Sequence, residues 1–359
     1  MLASAPNTSR YWITPSTMSH YPFPQSFFRS PFRPAKGLEN AHLQTVFATF
    51  HRRNPPGLHR RRREITLPDG DHLWLDCHEP HPVASDVPLT LIVHGLGGSS
   101  ESHYVLGLQK ALAALGWPSA AMNCRGARIP NRLPRAYHAG ASDDVIAVLE
   151  MLAAESGRKV ALVGYSLGGS MVLKALAELG SDNRLLGGVA VSVPLDLAQC
   201  ADQMNRGLSR LYRKHLLTEM GGLWLSKLQH FRQTGANEAV RLLEKHVGNG
   251  RFTSFWEFDQ QVMAPLHGFR DVDDYYTRCQ PSQFLRHISA PTLVIHAADD
   301  PFMVPEVVPP AEMLSPSIHF ELADKGGHVG FIGGTWLRPD YYLERRIPAF
   351  LQHIRQTGC

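Results

Sequence analysis

The stretch 160–180, "VALVGYSLGGSMVLKALAELG", decides the fold. An apolar, β-branched run ends at Gly164, a serine stands between Gly164 and Gly168, and a helical apolar pattern begins at once behind it. A strand that turns this sharply into a helix brings the backbone close to itself, so the positions flanking Ser166 have to be small. The helix start beyond it offers unpaired N–H groups and the positive end of a dipole. Two readings fit the serine: an ordinary N-cap that satisfies those N–H groups, or an exposed nucleophile. The Gly-x-Ser-x-Gly pattern by itself does not separate them.

Outward from this stretch the chain alternates. Two alternating runs around "PDGD" (68–71) read as a β-hairpin. Then come a strand "PLTLIVHG", a helix "YVLGLQKALAALG", a strand "PSAAMNCRG", a helix "SDDVIAVLEMLAAESG", the strand ending at Tyr165, the helix behind Ser166 and a strand "LLGGVAVSVP". Strands that are apolar throughout and alternate with helices predict an α/β fold: a mostly parallel central sheet covered by helices on both faces. Residues 196–284 break the alternation and read as amphipathic helices. Within 204–217, Met204, Leu208, Leu211 and Leu216 fall near one helical face, and Arg206, Arg210 and Arg213 on another. The sheet pattern resumes with "APTLVIHAADD", a helix after "VPEV", the strand "SIHFELA" and a last helix from "YYLERRI". This divides the chain into a loosely held arm (1–36), an α/β core in two parts (37–195 and 285–359) and, between them, a helical insertion (196–284) placed to cap the site.

A serine hydroxyl attacks only when a base takes its proton and a carboxylate orients that base. On such a sheet the partners are expected in the order Ser, Asp or Glu, His, each in a loop after a strand. "LVIHAADDPF" supplies Asp299 and Asp300 directly after a strand, and "FELADKGGHVGF" supplies His328 in a glycine-rich loop after the next. Of the two carboxylates, Asp300 precedes Pro301, which biases its backbone to be extended and fixes its side-chain direction. Asp299 reads as a turn residue that accepts backbone N–H bonds. "LIVHGLGGSS" ends an earlier strand, so the N–H of Gly95 or Leu96 can meet that of Leu167 in an oxyanion hole. A dinucleotide loop would need G-x-G-x-x-G, and the sixth position is Ser100.

Composition narrows the alternatives. At 359 residues, 43% hydrophobic and 19% charged, the chain can bury a full core. A net charge of +4 with one dense basic run, "HRRNPPGLHRRRREI" (51–65), shows no nucleic-acid motif; the run is expected to solvate a loop before the first strand. Five scattered cysteines indicate a reducing compartment without a disulfide framework. No apolar stretch reaches the ~20 residues of a bilayer span, and no signal-peptide pattern opens the chain. The expectation is a cytoplasmic protein without a membrane anchor or a nucleic-acid partner. It uses no cofactor, and no metal is assigned despite nineteen histidines, because neither H-E-x-x-H nor C-x-x-C occurs. Asn123, Arg125, His138, Asp143 and Asp144 read as a network that fixes loops, His42 as a structural histidine packing the arm on the domain, and the aromatics of 251–269 as core rather than acyl pocket.

"GLENAHLQT", "LPDGD", "HGLGGSS", "NCRG", "YHAG", "GYSLGGS", "DDPF" and "GGHVGF" together resemble the YheT-like α/β-hydrolases, related to the mammalian ABHD1/ABHD3 group, over about residues 33 to 355. The resemblance implies an α/β-hydrolase fold and hydrolysis of a small-molecule or lipid carboxylic ester. It makes Ser166 the nucleophile, Asp300 the acid and His328 the base. An acyltransferase or a thioesterase would use the same residues and the same acyl-enzyme. A non-catalytic binding protein of this fold is the alternative against which the complete residue set argues.

Overall fold

The computed structural model of the protein describes residues 30–51, 58–80, 83 and 86–358. After α1 (Ala41–His51), the strands β1 (Arg61–Thr66) and β2 (His72–His78) form the hairpin, with Arg61 opposite Cys77 and the turn closed by Leu67 N–H on the Asp71 carbonyl at 2.9 Å. Then follow β3 (Leu89–Val93), α2 (His103–Ala114), β4 (Ser119–Asn123), α3 (Ser142–Ser156), β5 (Val160–Tyr165), α4 (Leu167–Leu179) and β6 (Leu185–Val191). The sheet has eight strands in the order β1-β2-β4-β3-β5-β6-β7-β8, β7 being Thr292–Ala297 and β8 Ile318–Ala323. β1 and β2 run antiparallel, and all pairings from β4 to β8 are parallel. Every residue of β3 to β8 is buried, which is why these strands read as unbroken apolar runs. α2 and the C-terminal α11 (Tyr342–Thr357) cover one face, and α3 and α4 the other. A short hairpin, β9 (Ile332–Gly334) with β10 (Pro339–Tyr341), leads into α11.

Between β6 and β7 the chain is helical: α5 (Leu197–Gln203), α6 (Ser209–Thr234) and α7 (Asn237–Val247). Next, α8 (Phe255–Phe258), a π-helical turn (Asp259–Met263) and α9 (Ala264–Leu266) run end to end, followed by α10 (Val272–Cys279). These helices share an apolar cluster around Trp224, Phe231, Leu243 and Tyr275, and the cluster extends to Ala136 and Ala139 and touches Leu96 and Leu167. Lys227 of α6, fully buried, donates to the carbonyls of Leu133 (3.1 Å) and Arg135, so its Nζ ties the insertion to a loop of the sheet. Burial pushes its pKa down to about 7, and the two carbonyls satisfy N–H donors that would be costly to bury unpaired.

Four expectations change. Residues 1–29 of the expected arm lie outside the described residues, but 30–36 are packed. Phe32 rests on Phe331 and Tyr342 at 5.4 Å each, and the Ser30 hydroxyl donates to Glu321 at 2.9 Å. The basic run does not only solvate a loop: Arg61, Arg62 and Arg63 belong to β1, where Arg62 pairs with Asp76 and Arg63 with Glu155. No α-helix follows "VPEV"; Pro309 and Pro310 break the segment into two 3-10 turns, Pro305–Val307 and Ala311–Met313. The apolar face expected across 204–217 is split. Met204 caps α5 and is buried, whereas Leu208 and Leu211 are 59% and 66% exposed at the start of α6.

Candidate active site

The site lies where four parallel strands end. Ser166 follows β5, Asp299 and Asp300 follow β7, His328 follows β8, and Gly95 and Leu96 follow β3. Loops at the carboxyl ends of parallel strands converge, so residues far apart in sequence meet there. At Ser166 the backbone adopts φ 51° and ψ −122°, and its N–H is held by the Val191 carbonyl at 2.8 Å. The two flanking glycines are sterically required: a Cβ on Gly164 would lie 2.4 Å from the Gly168 carbonyl oxygen, and one on Gly168 2.4 Å from that of His94.

The Ser166 side chain does not cap α4. Its Oγ lies 3.0 Å from His328 Nε2, and His328 Nδ1 lies 2.8 Å from Asp300 Oδ2. Asp300 Oδ1 accepts the Phe302 N–H at 2.9 Å, so the carboxylate cannot swing away from the imidazole. The Phe302 ring stacks on the His328 ring with centroids 3.9 Å apart and planes 8° from parallel. Asp299 points elsewhere: its Oδ1 accepts the Gly327 N–H at 3.0 Å, and burial raises its pKa. With Asp300 fixing Nδ1 as the donor, Nε2 is left free to accept a proton from Ser166.

The three N–H groups expected to face an oxyanion differ. That of Gly95 is taken by the Tyr104 hydroxyl at 3.1 Å. Those of Leu96 and Leu167 enter no hydrogen bond among the described residues. Gly95 is instead a close-approach residue, since a Cβ there would meet the Cβ of Ser166 at 3.1 Å. The loop is rigid because the buried His94 places Nδ1 2.7 Å from the Gly95 carbonyl and accepts the Cys124 N–H on Nε2 at 3.2 Å. This pattern requires a neutral ring with its proton on Nδ1, and burial pushes its pKa down to about 4.

A cavity of about 270 Å³ reaches Ser166. Its wall includes Thr49 of α1 and His103 of α2, and Met220, Phe255, Phe258 and Tyr276 from the insertion. Phe255 and Phe258 therefore form wall and not only core, the reading preferred for the aromatics of 251–269. Asn123 and Arg125 fix loops as expected from their types: Asn123 bonds Asp76, and Arg125 bonds Asp69, Asp71 and Asp144. Asp143 stands apart, its nearest charged partner being Arg135 at 3.5 Å. His138 lies in the cavity wall against His267, centroids 4.7 Å apart. His42 joins α1 to the insertion through the Tyr212 hydroxyl at 3.1 Å, not the arm to the domain. The sequence reading missed Phe302, Tyr104 and the helix α1. "DDPF" contains the first, and Asn40 is the readable mark of the last, its Oδ1 accepting the N–H groups of His42 and Leu43.

A family model described as alpha/beta hydrolase fold matches residues 88–335. The chain is 40% identical over 331 residues to YheT of Escherichia coli (strain K12), which its name proposes to be an esterase, covering 91% of this chain and 95% of that protein. It is 28% identical over 325 residues to Phospholipase ABHD3 of Mus musculus, covering 88% and 76%. Among solved structures, the α/β hydrolase GrgF from Penicillium sp. sh18 superposes with a TM-score of 0.56 at 15% identity, over 83% of this chain and all of that one. Among the described residues no helix is long and apolar enough to cross a membrane.

Proposed function

The chain belongs to the α/β-hydrolase family, on its YheT-like, esterase-like branch, and we propose that it is a serine carboxylic-ester hydrolase acting through Ser166, His328 and Asp300. The observation that carries this is the unbroken hydrogen-bond chain Ser166 Oγ–His328–Asp300 at 3.0 and 2.8 Å, in loops at three strand ends. Ser166 Oγ attacks the ester carbonyl carbon while His328 Nε2 takes the hydroxyl proton, and Asp300 stabilises the imidazolium. The carbonyl oxygen becomes an oxyanion facing the N–H groups of Leu96 and Leu167, the latter at the positive end of α4. Collapse expels the alcohol, which receives the proton from His328, and leaves an acyl-enzyme. Water, deprotonated by the same imidazole, then attacks the acyl carbon and releases the acid and Ser166.

In this reading the segment 196–284 is a cap on the core formed by 37–195 and 285–359. Support comes from its residues in the wall of the cavity at Ser166 and from its contact with Leu96 and Leu167. An apolar cover excludes water from the oxyanion and strengthens its hydrogen bonds. Ser166→Ala is expected to fold with an unchanged circular-dichroism spectrum and melting curve while p-nitrophenyl ester turnover falls by a factor of about a thousand or more. Wild-type activity in that variant would refute the assignment.

A further inference from the structure

One acidic side chain stands in the apolar wall of the cavity. Asp259 opens the π-helical turn, lines the cavity and is only 8% exposed. Its Oδ2 accepts the Tyr276 hydroxyl at 2.7 Å. No other hydrogen bond or ion pair to this carboxyl exists among the described residues, Oδ1 is not sealed in protein, and the residue lines the cavity that reaches Ser166. Phe255, Phe258 and Met263 of the same wall cannot donate to it, and the Tyr275 hydroxyl, also in that wall, is engaged with the Ala139 N–H at 3.1 Å.

The carboxyl is held, not loose. Tyr276 is backed by the Trp256 ring at 4.9 Å, and Trp256 Nε1 donates to Asp202 at 2.8 Å. Burial pushes the Asp259 carboxyl up to about 7, the mark of a group with too few partners. A π-turn forgoes regular helical bonding and recurs at functional sites. Here it brings both Asp259 and Met263 to the cavity. A purely apolar ester would leave Oδ1 buried without a donor, whereas an ester bearing a hydroxyl would satisfy it.

We propose that Asp259 is a specificity-determining residue whose Oδ1 accepts a hydrogen bond from a hydroxyl on the substrate, so that the enzyme's substrates are hydroxylated esters. The proposal rests on the Ser166 chemistry above and adds the class of ester. The hydroxyl can reside on the acyl chain or on the alcohol part, and the experiment separates the two.

Ester pairs of equal chain length, with a terminal hydroxyl or a methyl, are compared in two sets: one varied on the acyl side, the other on the alcohol side. The wild type is expected to favour the hydroxylated member of one set in kcat/KM by about tenfold, the scale of one buried neutral hydrogen bond. Asp259→Leu should erase that ratio, and Asp259→Asn, which keeps a carbonyl acceptor and nearly the same volume, should retain part of it. A structural role alone would lower both members equally and leave the ratio unchanged, which overturns the proposal, as does a wild-type ratio near one in both sets. Titration of the same esters into Ser166→Ala by calorimetry reads the subsite without turnover. There too the hydroxylated ester must bind more tightly, and less so once Asp259→Leu is added, so failure here is distinct from failure of the serine chemistry.

Discussion

At Ser166 the backbone sits at φ 51°, a region that disfavours any residue with a side chain, and the surrounding hydrogen bonds hold it there. The same loops separate two adjacent carboxylates by direction: Asp300 faces His328, and Asp299 faces the Gly327 N–H. Asp300→Asn should leave the melting temperature near that of the wild type and cut kcat by about a thousandfold or more, because the imidazolium loses its counter-charge. Asp299→Asn should act mainly on stability. A larger kcat loss from Asp299→Asn, at equal folded fraction, would reverse the two roles. Asp259 carries a pH signature. Its folded pKa of about 7 lies above the ordinary 3.8, so the folded state binds more protons in between, and stability falls as pH rises through that window. Asp259→Asn removes this slope. Its unfolding free energy relative to wild type should rise by on the order of 3 kcal/mol from pH 5 to pH 8, read by denaturant titration at each pH.

The element that steadies the His328 loop is α1. Gln44 donates to the carbonyls of Leu38 and Ile332 and accepts the Ile332 N–H at 2.6 Å, and the Thr45 hydroxyl accepts the His328 N–H at 2.9 Å. The loop lies so close to α1 that a Cβ on Gly327, at φ 60°, would come within 2.5 Å of the Ala41 carbonyl oxygen. Both the strained φ and the backbone contact forbid a side chain. Gly327→Ala should therefore push the loop off α1. The expected result is a kcat loss of at least about tenfold, since the proposed mechanism needs His328 in place and misplacing such a group by about 1 Å is costly, with the sheet still folded by circular dichroism. Turnover equal to wild type would show that α1 does not position His328.

Across the whole molecule, buried ions join the parts that no single apolar face can align. Arg125, at the end of β4 and 3% exposed, donates to Asp144 at the start of α3 and to Asp69 and Asp71 in the hairpin turn. Asp71 also accepts the Arg132 N–H at 2.8 Å, so the hairpin is tied to the loop on which Lys227 of the insertion docks. Arg125→Met would leave Asp71 and Asp144 buried without their cation. Unfolding by urea should show a loss of about 3–5 kcal/mol, the cost of breaking a buried pair from one side. A loss under about 1 kcal/mol would mean that the carboxylates neutralise without consequence.

Much of this was readable in the sequence, and the reason is local. Strand-to-helix periodicity, the glycines beside Ser166, the proline after Asp300 and the order Ser, Asp, His are consequences of neighbouring residues; they sufficed for the parallel sheet and singled out three side chains that the fold brings into one hydrogen-bonded chain. The distances between those side chains were not local. Ser166 and His328 are 162 positions apart, and only the closing of strands β5, β7 and β8 side by side sets their 3.0 Å separation. The stacking of Phe302 on His328, the loss of the Gly95 N–H to Tyr104, the seat of α1 under the histidine loop and the place of Asp259 in the cavity wall belong to the same class. Each depends on two segments meeting in space, where burial and hydrogen-bond satisfaction outweigh the local preferences a sequence displays.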